Sequence, residues 1–384
     1  MTIFSKEVFR RSQIPSASCS TILHPHTSSC TEAVLIMFTD STLGAFKYLL
    51  PLYVISNILK YKEWDYPYMK FQVQSYLRTT LMAGYMGTSY LHANCILRNL
   101  LGEFKYYNTG FVPAMFGGLG IFIEHPKRRP IITNAFTNLG FQAVLASLYH
   151  RKILPKSLFL ETLLFMTSNA YLMYQLQQNP SQLWVFKPPP IEKDSQKCSH
   201  KGGCSTDVIK AYVKYFGFGF LLEIIRALIT NFTKVVASPG HLRQILFDRK
   251  LLRLGNFLGC YVAVYKLVCC CLRQVFGRND PRYSLIAGFI AGQAYLLLPK
   301  HSFLAPTVNN AIQICYGKSQ LRAKYLHKVP MAEILHLLSN AFMFHLKVVD
   351  KHSCPSMFQN MMRFCSGKAS DEIAERFYHF YAQH

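Results

Sequence analysis

The sequence predicts an all-α polytopic membrane protein, a helical bundle of nine or ten spans, whose internal match is that of two inverted repeats or of convergent membrane-helix composition. Three observations carry that prediction. First, 51% of the 384 residues are hydrophobic and only 16% are charged, whereas a soluble domain carries about 25% charged residues. Second, apolar runs recur from Leu43 to Val349, with no polar block long enough to form a separate globular unit. Third, small residues recur every four positions in two of these runs, as Gly255, Gly259 and Ala263 and then as Ser284, Gly288 and Gly292. On a helix that spacing makes one smooth face, which lets helix backbones approach closely in a membrane.

Taken in order, a polar segment with cysteine and histidine covers residues 1–41. The first transmembrane half, 42–177, holds apolar runs at 43–59, 76–101, 110–123, 131–149 and 157–176. Pro51 would kink the first of them, and the basic-aromatic mixture Lys60, Lys62, Trp64, Tyr66 and Tyr68 that follows suits the membrane interface. A polar linker, 178–206, contains Pro188, Pro189 and Pro190, which preclude a helix. The second half, 207–350, opens at Asp207, a residue suited to cap a helix. It continues through an interfacial helix at 241–253, runs at 254–276 and 283–298, a short run at 305–315 and a last one at 331–349. Residues 351–384 are read as a C-terminal tail.

The chain carries 42 Lys and Arg against 19 Asp and Glu, a net charge of +23. These residues sit in small groups beside apolar runs, such as Lys127, Arg128 and Arg129, as loop charges facing anionic lipid head groups do. Spans would separate them too far to form one basic groove with stacking aromatics, which excludes nucleic acid as a partner. No secretory leader core opens the chain.

Two polar segments offer sulfur and imidazole donors: Cys19, His24, His26 and Cys30 in the first, and Cys198, His200 and Cys204 in the second. Four such groups bind tetrahedral zinc, but the spacing matches no standard finger, so metal, disulfides and free thiols all stay open. Lys47, Lys266, Glu223 and Glu161 fall inside predicted spans, where an ionisable group marks a proton or anion path, a snorkelling span end or a structural pair. No nucleophile elbow, H-E-x-x-H or phosphate loop is present, so the sequence points to no catalytic residue, no cofactor and no enzyme.

The segment from Cys95 to Gly102 matches that from Cys270 to Gly277 at an offset of 175, sharing cysteine, leucine, arginine and glycine. Gly84 then meets Gly259 and Tyr90 meets Tyr265. Such halves occur in transporters with sites where the repeats meet, and also in structural membrane proteins. A groove lined by Gly84, Gly259 and Gly288 with Asn134 or Gln293 would mark a carrier; a closed bundle exposing the loop 177–206 would mark a scaffold.

The N-terminal half carries Cys19, His24-Pro25, Cys30, Pro51-Leu-Tyr-Val-Ile55, Cys95-Ile-Leu-Arg98, Gly110-Phe111 and the stretch from Ile123-Glu124 to Arg128-Arg129. The C-terminal half carries Leu254-Gly-Asn-Phe-Leu-Gly259, Tyr265-Lys266, Cys271-Leu-Arg273 and Ile286-Ala-Gly-Phe-Ile-Ala-Gly292. In these strings the chain resembles the transmembrane protein 135 family over nearly its whole length. Its glycine-toothed helices are also similar to those of the mitochondrial inner-membrane import-channel family and its peroxisomal relatives. The resemblance implies a non-enzymatic multi-pass protein of peroxisomal and mitochondrial membranes. It also implies a role in sterol and fatty-acid metabolism and in mitochondrial dynamics, through moving a lipid or metabolite or, alternatively, as a scaffold for fission or contact-site machinery. Expected partners are therefore membrane lipids and organelle-dynamics proteins.

Overall fold

The computed structural model describes residues 6–382 apart from 13, 179–185, 187, 189–202, 231–242, 244–246, 278–279 and 320–328. Among the described residues every regular element is a helix and there is no strand. The N-terminal elements are α1 (Lys6–Arg11), α2 (Cys19–Ile22), α3 (Cys30–Leu59), α4 (Tyr66–Leu101), α5 (Tyr106–Thr109), α6 (Phe111–Gly118) and α7 (Arg129–His150). Then come α8 (Leu158–Gln178), α9 (Cys204–Thr230), α10 (Leu251–Phe276), α11 (Arg282–Ala291), α12 (His301–Lys318), α13 (Met331–Val349), α14 (Ser356–Cys365) and α15 (Ala369–Ala382).

Local chemistry sets the helix ends. Ser29 caps α3 by accepting from the Glu32 amide at 3.4 Å, so the helix starts well before the apolar run at 43 and reaches 30 residues, with Pro51 inside it. Asp65 caps α4 through the Tyr68 amide at 2.8 Å. Helices α4 and α10 both stop at a glycine in the left-handed region, Gly102 at φ 70° and Gly277 at φ 62°. These are the shared glycines of the repeated octapeptide, and glycine enters that region without a Cβ clash. Asp207 is not a cap: α9 begins three residues earlier, and Asp207 lies in its first turn.

The expected spans at 110–123 and 283–298 are broken. Each is a short helix, α6 or α11, running into a 3-10 segment, Leu119–Ile123 or Gly292–Leu297. Eight helical residues rise only about 12 Å, far short of a ~30 Å bilayer core. By length and composition, three helices among the described residues are able to cross a membrane: Cys30–Ile58, Arg129–His150 and Leu251–Phe276. Helices α4 and α9 are long, at 36 and 27 residues, but carry Lys70, Arg78 and Arg98 or Lys210, Lys214 and Arg226, which lower their hydropathy. On α3, Leu35, Leu43, Leu52 and Ile58 are exposed, an apolar face suited to lipid. Of the interfacial helix read at 241–253, residues 241–242 and 244–246 lie outside the described residues, and its last three residues already belong to α10.

The chain forms two compact units, one of residues 1–155 with 328–384 and the other of residues 156–327. In the first, the α3–α4 hairpin packs on α6, and α13 packs on α6 and α7. Residues 351–384 are not a tail: α14 and α15 join this unit's core, with Phe358 and Phe377 fully buried. In the second, the α9–α10 hairpin leads to α11, and α8 packs on α11 and α12.

Each unit thus holds a hairpin, a broken short helix, a following helix and one more helix laid across the last two. The equivalence extends to single bonds. Tyr90 donates to the Thr109 carbonyl at 2.9 Å, and Tyr265 donates to Ser284 Oγ at 2.9 Å, each spanning 19 residues. Asn340 of α13 donates to the Ala114 carbonyl at 2.8 Å, and Asn169 of α8 donates to the Gly288 carbonyl at 2.6 Å. Both asparagines sit in Ser-Asn-Ala, at Ser339 to Ala341 and at Ser168 to Ala170. The units therefore differ from the sequence halves 42–177 and 207–350 by one helix each: α8, last helix of the first half, completes the second unit, and α13, last of the second half, completes the first.

The glycines of the four-residue pattern lie at close approaches. Built Cβ atoms on Gly255 and Gly259 would meet Phe216 and Tyr212 of α9, at 2.9 and 3.0 Å, and one on Gly288 would meet Met173 of α8 at 3.0 Å. Gly84 faces Thr42. Gly292 faces Met166 Cα at 2.7 Å, and its counterpart Gly118 faces Leu337 Cα at 3.1 Å. Backbone cannot yield as a side-chain tip can. Gly292→Ala is therefore expected to destabilise by about 1–3 kcal/mol, and Gly118→Ala by less. Thermal melts in detergent check the order, and equal losses would contradict it.

Candidate functional site

Two constellations in the first unit bring together chemistry-bearing side chains. The first is a groove walled by Met37 of α3, Met86 and Tyr90 of α4, Phe344 of α13, and Met361 and Met362 of α14. Methionine walls are apolar and deformable, which suits a flexible hydrocarbon chain. One end is polar. Lys347 of α13, 2% exposed, forms an ion pair with Asp371 of α15, and Arg363 of α14 pairs with the other carboxylate oxygen. Two cations against one anion give this triad one net positive charge, and Lys347 is its member that lines the groove. Ser370 Oγ, which also lines the groove, is buried with no hydrogen-bond partner among the described atoms. Burial raises the Asp371 carboxyl, but the hydrogen bonds and charges of Lys347 and Arg363 outweigh it and hold the group below its ordinary value. Cys365, on the same wall, is pushed up to about 11 by burial and stays a thiol at neutral pH.

The second constellation gathers Cys19, His24, Cys30 and Cys95, whose ligand atoms all lie within 4.8 Å of one another. Cys19 opens α2, His24 follows it, Cys30 opens α3 and Cys95 sits in the closing turns of α4. Of the donors expected from the sequence, His26 is exposed and takes no part. Cys198 and His200 lie outside the described residues, and Cys204 accepts from Gln274 Nε2 at 3.4 Å in the second unit. In the sequence Cys95 stands in the repeated octapeptide, 65 residues beyond Cys30. Its signal was the Cys-x-Leu-Arg string, which places it one turn from Arg98, and Arg98 Nε donates to the Ala17 carbonyl at 2.8 Å.

The ionisable residues of the predicted spans have local surroundings. Lys266 pairs with Asp207 at 2.9 Å, Glu223 with Arg226 at 2.7 Å, and Glu161 accepts from Tyr295 OH at 3.1 Å beside His301 at 3.3 Å. Lys47 is exposed. A buried acid that the sequence reading passed over is Glu124, 0% exposed, held by Arg128 at 3.1 Å and by the Thr79 hydroxyl at 3.0 Å. Gly84, Gly259 and Gly288 are each met by a side chain of their own unit, Thr42, Tyr212 and Met173.

Residues 16–150 match the N-terminal cysteine-rich region of Transmembrane protein 135, and residues 204–315 match the Tim17/Tim22/Tim23/Pmp24 family. No solved structure matches the chain. The first match spans the hairpin and the Cys/His cluster, and the second spans α9 to α12, the helices whose glycines meet at close range. The chain is accordingly a multi-pass membrane protein that joins a cysteine-rich region of the Transmembrane protein 135 type to a Tim17/Tim22/Tim23/Pmp24-family domain.

Proposed function

We propose that the chain is a non-enzymatic carrier of fatty acids in peroxisomal and mitochondrial membranes, holding the acyl chain in the methionine-walled groove of the first unit. The observation that carries this reading is the groove's polarity: apolar walls ending at Lys347, whose partner Asp371 is shared with Arg363 so that the triad has one positive charge in excess, beside the unpartnered Ser370 hydroxyl. A carboxylate at that end meets an attractive charge and a hydrogen-bond donor, while its tail replaces water along the methionines. The organelle assignment rests on the kinship with the Tim17/Tim22/Tim23/Pmp24 family. The scaffold alternative depends on the loop 177–206, most of which lies outside the described residues.

Purified protein in liposomes is expected to speed transfer of a fluorescent fatty acid over protein-free liposomes, and to move a sterol far less. Met362→Trp, which fills the groove from a partly exposed position, is expected to cut that transfer several-fold while leaving the helical signal unchanged. A folded sample that transfers no faster than bare liposomes sinks the carrier reading.

A further inference from the structure

We propose that Cys19, His24, Cys30 and Cys95 bind one structural zinc ion. The four donors converge on one point, with all ligand atoms within 4.8 Å of one another. Cys19 Sγ and Cys30 Sγ are 3.5 Å apart. A disulfide needs about 2.05 Å, whereas sulfurs held at about 2.3 Å from a tetrahedral zinc stand roughly 3.8 Å from each other. The separation rules out a disulfide and lies close to that of two ligands on one ion.

The histidine supplies a second, independent observation. His24 is 0% exposed, and its Nδ1 lies 2.9 Å from the Thr27 carbonyl. A carbonyl only accepts, so Nδ1 carries a proton, and in the neutral ring Nε2 then holds a free lone pair. That Nε2 is buried and has no hydrogen-bond partner. An imidazole whose far nitrogen is fixed by a backbone carbonyl, with its near nitrogen bare, is arranged as metal-binding histidines are. Without an ion the arrangement leaves a buried acceptor unsatisfied.

The donor set selects the metal. Three soft thiolates and one imidazole suit zinc and exclude magnesium and calcium, which take oxygen. All four positions of a tetrahedron are filled by protein, which is the pattern of a structural rather than a catalytic zinc. Binding converts three thiols to thiolates and releases their protons to solvent. The resulting single negative charge lies one turn from Arg98, whose side chain crosses to the Ala17 carbonyl. Ile22, Leu23, Ala33 and Leu91 form the apolar shell.

The ion would tie three pieces of chain. Helix α2 and its following loop give Cys19 and His24, the start of α3 gives Cys30, and the end of α4 gives Cys95. The α3–α4 hairpin is thereby clasped at its open end.

Metal analysis of the full-length protein, purified in detergent without added metal or chelator, tests the proposal. One zinc per chain is expected, and His24→Ala and Cys95→Ser are each expected to weaken zinc retention about tenfold or more, while Cys204→Ser keeps it. Since the variants could misfold, the wild-type protein gives a second readout. Loaded with cobalt, it is expected to show thiolate-to-metal charge transfer and the visible bands of a tetrahedral site. A folded protein without zinc in which mass spectrometry finds Cys19 disulfide-bonded to Cys30 overturns the proposal. So does zinc content that is unchanged in both His24→Ala and Cys95→Ser.

Discussion

Replacing Asp371 by alanine is expected to lower the unfolding temperature of the solubilised protein far more than replacing Lys347 by methionine, although the two share an ion pair. The asymmetry comes from what each change leaves behind. Lys347 is 2% exposed, and Asp371 is the carboxylate that neutralises it. Without Asp371 a buried ammonium stands beside apolar methionines, which costs about 3–5 kcal/mol. Without Lys347, Asp371 keeps Arg363, which is half exposed and able to follow it toward water. The double variant, Lys347→Met with Asp371→Ala, is expected to recover most of the loss, a coupling that a double-mutant cycle reads directly.

Acid gives the same pair a second test. Asp371 has a folded pKa below its ordinary 3.8. A depressed carboxylate contributes stability that is fully present above the unfolded value and is lost as pH falls through the folded one. Melting curves are therefore expected to show a loss that sets in below pH 3.8 in the wild type. Asp371→Asn is expected to flatten that acid limb, and an unchanged limb in the variant would show that other groups set it.

Much of this molecule could be read from residue spacing, and what escaped has definite physical causes. Glycines every fourth residue on α10 and α11 do mark close approaches, because a helix face with no Cβ admits a neighbour whatever that neighbour is. For the same reason the pattern named no partner: Gly255 meets α9 and Gly292 meets α8, and the two faces do not serve one shared contact. The octapeptide at Cys95 and Cys270 located a helix end, since its glycine takes a left-handed conformation in both copies. The runs at 110–123 and 283–298 looked like spans because hydropathy records composition and not backbone continuity; 3-10 segments interrupt both. The site was half legible. Cys19, His24 and Cys30 stood close in sequence, while Cys95 lies 65 residues beyond Cys30 and became their neighbour through the α3–α4 hairpin. Asp371 went unseen because 351–384 reads as polar and tail-like, though α15 turns Phe377 inward, and Lys347, near the end of the last apolar run, has its partner in that segment.

A chain ended after Ser319 is expected to damage the N-terminal part of the protein and spare the part next to the cut. The truncation removes α13, α14 and α15, and all three belong to the first unit. Helix α13 supplies Ala341, Met343, Phe344 and Leu346 to the core that also contains Ala114, Phe136 and Ala143 of α6 and α7. It also supplies the Asn340 amide that reaches the Ala114 carbonyl. Losing it opens that core, and hydrogen exchange in α6 and α7 should approach that of unprotected amides. The second unit keeps its own cross-helix. Helix α8 still lies on α11 and α12, Asn169 still donates to Gly288, and Tyr261 OH still donates to Asn169 at 2.6 Å, so protection in α10 and α11 should persist. If each sequence half instead closed on its own last helix, the same truncation would strip α11 and α12 and leave α6 and α7 protected. Point changes make the complementary test with less disruption. Asn340→Ala should speed exchange in α6, and Asn169→Ala should speed it in α11, each by the loss of one interhelical hydrogen bond worth about 1 kcal/mol. A reversed assignment, with Asn340→Ala loosening α11, would refute the helix exchange and return α8 and α13 to the halves in which the sequence encodes them.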